Sequence, residues 1–337
     1  MNTTADTSAN SADPAGDSQA LPLDTPISVI GLGTMGHGIV QAFATGGYSV
    51  RGVDERPETA ATAIGRISSS LEQQVSAGLI TSDQVPAILE RITICETLEE
   101  TVSGAGLVTE AAWEDLEVKK SLLTRLEALV DSSTILCSNS SSFKISASAA
   151  DLSHPERAVV THWFNPPQVI PVVEVVGGER TSEATVVTAI ATLEAIGKMA
   201  VRIDKELTGF LVNRVQVAMF REVFDLLDRG VASAAEIDRA IRGSMGLRLA
   251  ALGPLAIMDY AGLEISSATF RNLVPDMRRD CEIPNTVKQL VADGNLGAKT
   301  GQGFFEYPAD EVDEKITERD ADYLALVRLL HSGEQDG

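Results

Sequence analysis

Apolar positions along the chain follow two rhythms. Up to about residue 205, short apolar runs bounded by glycine, proline or polar residues alternate with longer segments whose apolar residues recur every three or four positions. The runs Ile27–Ile30, Tyr48–Val53, Gly106–Thr109, Thr134–Cys137, Ala158–Thr161, Val172–Val176 and Met199–Ile203 predict strands, and Met35 to about Thr45 and Leu116–Val130 predict helices. Strand and helix in alternation predict a mostly parallel sheet flanked by helices. From Thr208 the rhythm is helical only: Phe210, Val212, Val215, Val217, Met219, Val223, Phe224 and Leu227 share one helical spacing, and Gly230 ends it. Ser233 and Glu236 then form a capping box, and Phe304–Tyr307 is the one later stretch that could be a strand. The expected organisation is a disordered polar tail over 1–24, an α/β domain over 25–205 and a helical domain over 206–331.

Charge narrows the choice of partners. Asp and Glu number 48 against 27 Lys and Arg, a net charge of -21, which repels phosphate backbones and anionic lipid and argues against nucleic acid or a membrane as partner. No apolar run approaches the roughly 20 residues that span a bilayer. The first 24 residues hold four Asp, no Lys or Arg and no apolar core, so they read as a tail and not as a signal peptide. Cys95, Cys137 and Cys281 form no CxxC pair, and with four histidines they make neither a disulfide framework nor a usual zinc site. A cytoplasmic, metal-free protein is expected.

Gly31-Leu-Gly33-Thr34-Met35-Gly36 stands directly after the first strand and opens the first helix, and Asp54 closes the second strand. In that setting the glycines allow a tight turn, a close approach to a pyrophosphate and close helix packing, while the helix N-terminus supplies N–H groups to the phosphates. Asp54 suits the adenosine ribose hydroxyls and repels a 2'-phosphate, which favours NAD over NADP, although Arg56 lies two residues on. The fold class is therefore α/β: a Rossmann-type doubly wound sheet followed by an all-helical C-terminal domain.

His162 ends one predicted strand and Glu174 lies inside the next, joined by a proline-rich connection. A carboxylate in an apolar strand is costly unless partnered. Two readings stand here: Glu174 orients His162 as a base for an alcohol proton, or Glu174 faces solvent from an edge strand and His162 is a core histidine.

Seven motifs together resemble the 3-hydroxyacyl-CoA dehydrogenase superfamily over residues 27 to about 307. They are the glycine turn, Glu114-Asp-Leu-Glu-Val-Lys119, Ser138-Asn-Ser-Ser141-Ser, His162-Trp-Phe-Asn165-Pro, Val173-Glu174-Val, Gly209-Phe-Leu-Val-Asn213-Arg and Lys299-Thr-Gly-Gln-Gly-Phe304. The resemblance implies that His162 is the general base, Glu174 its orienting carboxylate, and Ser141 and Asn213 hydrogen-bonding groups for the reacting oxygen or the histidine. It also implies that Asp54, Glu114, Lys119, Asn165 and Lys299 contact NAD, and that the protein is a homodimer. Thr208 departs from the family, which commonly has proline there.

Members that take CoA thioesters commonly offer basic residues to the CoA phosphates after the second strand. Between Asp54 and Lys119 this chain has only Arg56, Arg66 and Arg91. The long connection from Asp238 to Gly253, with its Gly246-Leu-Arg248 element, resembles the branch of L-gulonate 3-dehydrogenase (lambda-crystallin) and L-carnitine dehydrogenase, whose substrates are small free hydroxy acids. Arg248 is a candidate carboxylate fork or a surface ion-pair partner. Trp163, Phe164 and Tyr260 are candidates for an aromatic wall at the site, or for ordinary core. A 3-hydroxyacyl-CoA dehydrogenase and a non-catalytic dinucleotide-binding protein are the competing functions.

Overall fold

The computed structural model describes residues 19–334, with side chains to Leu329. Most of the expected tail, residues 1–18, lies outside the described residues. Its last part is held against the domain that follows: Leu21 N–H donates to Thr192 Oγ1 (3.1 Å), and Tyr48 donates its hydroxyl to the Leu21 carbonyl (2.6 Å).

Two compact units are present. The first comprises the chain up to Ser68 with Asp83–Thr208, and the second comprises Ser69–Ser82 with the chain from Gly209. In the first unit, β1 (Ile27–Ile30), α1 (Gly36–Thr45), β2 (Val50–Val53), α2 (Pro57–Ser76, whose last turns belong to the second unit), α3 (Gln84–Glu90), β3 (Ile92–Ile94), α4 (Leu98–Val102), β4 (Leu107–Glu110), α5 (Leu116–Leu129), β5 (Ile135–Ser138) and α6 (Ile145–Ser148) are followed by β6 (Ala158–Trp163), β7 (Val172–Gly177), α7 (Glu183–Ala195) and β8 (Met199–Ile203). The strands form one sheet in the order β3-β2-β1-β4-β5-β6-β7-β8, parallel throughout except where β6 meets β7. Every residue of β1, β4, β5 and β6 is buried, because helices cover both sheet faces, and this is why those strands read as continuous apolar runs. β3 was not foreseen; three residues with one exposed position give too little pattern.

The second unit contains α8 (Val212–Asp228), α9 (Ala234–Ile241), α10 (Leu247–Ala251), α11 (Pro254–Ala261), α12 (Leu263–Leu273), α13 (Asn285–Ala292) and α14 (Val312–Glu334). Ser233 caps α9 by accepting from Glu236 N–H, as its sequence predicts. The Gly246-Leu-Arg248 element is not a break: a π-helical turn, Arg242–Gly246, carries α9 into α10. Phe304–Tyr307 forms no strand of its own; bridges Gly297 to Gln302 and Gln302 to Glu306 close a tight loop on Gly297 and Gly301, both at positive φ.

Candidate active site

The glycine turn connects β1 to α1. Gly31 has φ of 92°, and a Cβ there would lie 2.7 Å from the Ala111 carbonyl oxygen; at Gly36 it would lie 1.7 Å from the Gly31 oxygen. Gly33 is different. A Cβ there would meet only Arg56 Nη2, at 3.7 Å, so space is open where a cofactor backbone would pass. The N–H groups of Gly33, Thr34 and Met35 meet no acceptor among the described residues, and they stand at the positive end of α1. Asp54, just beyond β2, accepts from Leu32 N–H (2.7 Å) and Arg56 N–H (2.9 Å), and its two oxygens retain further lone-pair directions. Open space at Gly33, unused donors and a neighbouring acid fit the pyrophosphate and ribose of a dinucleotide. His37, one residue on, is pushed below the usual histidine range by burial.

Past β4 and β5 a second cluster gathers around Glu114. Its Oε1 accepts from Ser140 Oγ (2.8 Å), Ser141 N–H (2.9 Å), Ser142 N–H (3.0 Å) and Ser142 Oγ (2.7 Å), and its Oε2 meets Lys119 Nζ at 3.3 Å. Burial raises the Glu114 carboxyl, but the bonds from Ser142 and Ser140 and the Lys119 charge outweigh it and hold the group below the usual carboxylate range. Lys119 is 1% exposed and donates to both oxygens of Glu110, at 2.9 and 3.0 Å. Direct contact of Lys119 with NAD is therefore not what the geometry favours: its ammonium is enclosed between two carboxylates, and it acts on the loop through Glu114. Glu110, at the end of β4, also accepts from Ser138 Oγ and from Ala112 N–H (3.0 Å), and burial pushes its carboxyl up. Sequence reasoning missed Glu110, although an acid closing an apolar strand was the same signal that singled out Asp54.

His162 and Glu174 are register partners across the antiparallel β6–β7 pair. His162 Nδ1 lies 2.8 Å from Glu174 Oε2, with the carboxylate side chain fully buried and the ring 5% exposed. Glu174 thus does not face solvent. A neutral imidazole that donates from Nδ1 carries its lone pair on Nε2. Phe164 packs beside the ring at a centroid distance of 4.5 Å. Trp163 belongs to no aromatic wall with it: successive strand residues face opposite ways, and Trp163, 2% exposed, meets Phe43 at 5.6 Å on the other side of the sheet. Asn165 follows β6 and is joined to Pro166 by a cis peptide. Lys198 Nζ donates to the carbonyls of Pro167 (2.7 Å) and Ile170 (2.9 Å) and lies 5.4 Å from the Trp163 ring centroid, a half-buried cation unsuspected from sequence, and partial loss of hydration lowers it to about 8.

The remaining residues belong to the second unit. Asn213 lies in the first turn of α8, and Lys299 in the short turn Ala298–Thr300. Arg248 lies on α10 with its guanidinium directed back to Ser244. Tyr260, on α11, is 83% exposed. No group of His, Cys, Asp and Glu among the described residues could hold a metal, and no described helix is long and apolar enough to cross a membrane.

The chain is 32% identical to 5-formyl-3-hydroxy-2-methylpyridine 4-carboxylate 5-dehydrogenase of Mesorhizobium japonicum, over 91% of this chain and 99% of the relative. It is 35% identical to a probable 3-hydroxybutyryl-CoA dehydrogenase of Bacillus subtilis (83% and 96%) and 36% identical to L-carnitine dehydrogenase of Streptomyces griseus (71% and 70%). A crystal structure of a 5-formyl-3-hydroxy-2-methylpyridine 4-carboxylic acid 5-dehydrogenase, described as an NAD+-dependent dismutase, matches with a TM-score of 0.85 at 31% identity, covering 91% of this chain and 99% of that one. Residues 26–207 match the 3-hydroxyacyl-CoA dehydrogenase NAD-binding domain and 209–307 its C-terminal domain, so the chain, an NAD-dependent oxidoreductase acting on CH–OH, belongs to the 3-hydroxyacyl-CoA dehydrogenase family.

Proposed function

We propose that this dehydrogenase oxidises the secondary alcohol of a small free 3-hydroxy acid, of the L-gulonate or L-carnitine kind, to the 3-oxo acid. The observation that carries this reading is the engagement of every cation between Asp54 and Lys119. Arg56 pairs with Asp54, Arg66 donates to the carbonyls of Leu32, Gly33 and Thr59, and Arg91 donates to the Ala44 carbonyl. Anchoring the phosphates of CoA takes fixed positive charge, and these three already have acceptors within the protein. The name of the Streptomyces relative, L-carnitine dehydrogenase, specifies a free hydroxy acid, in keeping with this reading, whereas that of the Bacillus relative specifies a CoA thioester.

In the reaction, Glu174 holds the His162 ring through Nδ1, and Nε2 takes the proton of the substrate hydroxyl. A bound NAD would supply the hydride acceptor for the hydrogen on the carbon that bears that hydroxyl. Ser141, fixed by Glu114, and Asn213 hydrogen-bond the reacting oxygen, while Asp54, Glu114, Asn165 and Lys299 serve the cofactor and Arg248 grips the carboxylate. Self-association through the helical unit completes the picture, since α10 to α12 have no buried residue and Leu247, Leu255, Tyr260, Leu263 and Phe270 are 62–83% exposed. Three unpaired cysteines suit the reducing cytoplasm.

An NAD-reduction screen tests the substrate class, with L-gulonate, L-carnitine and L-3-hydroxybutyrate set beside 3-hydroxybutyryl-CoA. At least one free acid is expected to exceed the thioester in kcat/KM; a thioester that outruns every acid overturns the reading in favour of a 3-hydroxyacyl-CoA dehydrogenase.

A further inference from the structure

Arg66 lies on α2 and reaches beneath the glycine turn. Its Nη2 donates to the carbonyls of Leu32 (2.7 Å) and Thr59 (3.1 Å), and its Nη1 to the carbonyl of Gly33 (3.3 Å), an oxygen that His37 Nδ1 also meets at 2.7 Å, with that Nδ1 at 2.9 Å from Nη1. Leu32 is thus held from both ends by opposite charges: Asp54 takes its N–H and Arg66 its carbonyl. In a trans peptide the carbonyl and the following N–H point in opposite directions. Drawing the oxygens of Leu32 and Gly33 toward the guanidinium therefore turns the N–H groups of Gly33 and Thr34 away from it, and these are two of the three donors that meet no acceptor among the described residues.

We infer that Arg66 is a positioning residue of the dinucleotide site: by holding two consecutive carbonyls it aims the turn's N–H groups at the cofactor pyrophosphate. It touches the peptide groups and leaves the phosphates to them. The role uses the planar fork of the guanidinium, whose two terminal nitrogens reach the Leu32 and Gly33 carbonyls separately, in a fixed relation that a single ammonium does not impose. It also accounts for an arginine beneath a turn whose ligand is anionic while its donors go to neutral carbonyls.

The test compares ligands that differ in the pyrophosphate. NADH and ADP-ribose carry it and adenosine does not; Kd for NADH is read by fluorescence, and the other two as competitors. In Arg66→Met, NADH and ADP-ribose are expected to weaken by about ten- to a hundredfold, the range for losing hydrogen bonds to a charged group, with adenosine changed less than about threefold. KM for NAD should rise by more than kcat falls. Arg66→Lys, which keeps the charge and serves if the Met variant folds poorly, is expected to retain most of the NADH defect. Equal weakening of adenosine and NADH would make Arg66 a merely structural tie; wild-type NADH affinity in the Met variant, or full rescue by lysine, would equally overturn the proposal.

Discussion

Replacing Glu174 by Gln tests the central pair with little change of shape. The carboxylate accepts from His162 Nδ1 at 2.8 Å and is fully buried, so it fixes which ring nitrogen carries the proton. A carboxamide can present either its oxygen or its NH2 group. In the second case Nδ1 becomes the acceptor, the proton moves to Nε2, and the ring can no longer take a proton from the substrate there. Even with the oxygen presented, the imidazolium formed in the reaction loses its counter-charge. General-base catalysis contributes typically 10² to 10⁴, so kcat should fall by about that factor, a barrier increase of about 3 to 5 kcal/mol. Stability should move far less, by about 1 kcal/mol in either direction, because the lost charge-assisted bond is offset by no longer burying an ion. NADH affinity should hold, since the glycine turn and Asp54 follow other strands. Steady-state kinetics with the best substrate of the screen, NADH titration and thermal melts separate the three quantities. A variant with wild-type kcat and a lowered melting temperature would refute the reasoning, because Glu174 would then be a structural counter-charge and His162 would need no orientation from it.

Two further outcomes follow from other parts of the first unit. The wild-type protein should bind NADH far more tightly than NADPH, and Asp54→Ser should narrow the gap while weakening both, since the same carboxylate holds Leu32 N–H; equal wild-type affinities in paired fluorescence titrations would remove Asp54 from the ribose. Lys198 is lowered by burial from 10.5 to about 8, so between those values the unfolded chain binds the extra proton and the native state gains stability as pH rises, by up to about 3 kcal/mol. Lys198→Met lacks that gain, so its urea stability should compare best with wild type at pH 7 and worst at pH 9.5; a constant difference between the two proteins would contradict the assignment.

What was legible in the sequence depended on how local the cause was. The long strands showed as apolar runs because both sheet faces are covered, and the glycine turn because its backbone excludes side chains at Gly31 and Gly36. His162 and Glu174 were named, but their pairing depended on strand direction, which spacing alone left open. Trp163 was left open between an aromatic wall and ordinary core, although alternation along β6 already sends it to the face opposite His162. Lys119 was less accessible. A lysine on a helix normally lies in water, and only the fold shows the buried carboxylates that hold it. Arg66 lies 33 residues from Gly33, and its bonds go to backbone carbonyls, which no side-chain pattern records. The helix α14 mixes polar and apolar residues and buries only Asp320 and Leu324 among its described side chains, so its period was too faint to read.

The single strand reversal accounts for how the acid and the histidine meet. Parallel neighbours reach the same sheet edge only after a crossover of about a dozen residues or more. Between β6 and β7 the chain turns back over Phe164–Pro171 instead, and His162 and Glu174 come directly opposite each other on one face, where paired Cβ atoms lie about 4.5 to 5.5 Å apart. A slip of one residue would send Glu174 to the opposite face and bring a valine to the histidine. Val173 and Val175 resist that slip, because both are fully buried and hold their own face of the strand in the core. The reversal also settles the edge. The glycine turn, Asp54 and the Glu114 cluster all follow the carboxyl ends of parallel strands, and so does His162 near the end of β6. Because β7 runs the other way, its third residue, Glu174, lies at that same edge, so the strand that breaks the parallel pattern is the one that brings the buried carboxylate to the edge where the glycine turn and Asp54 lie.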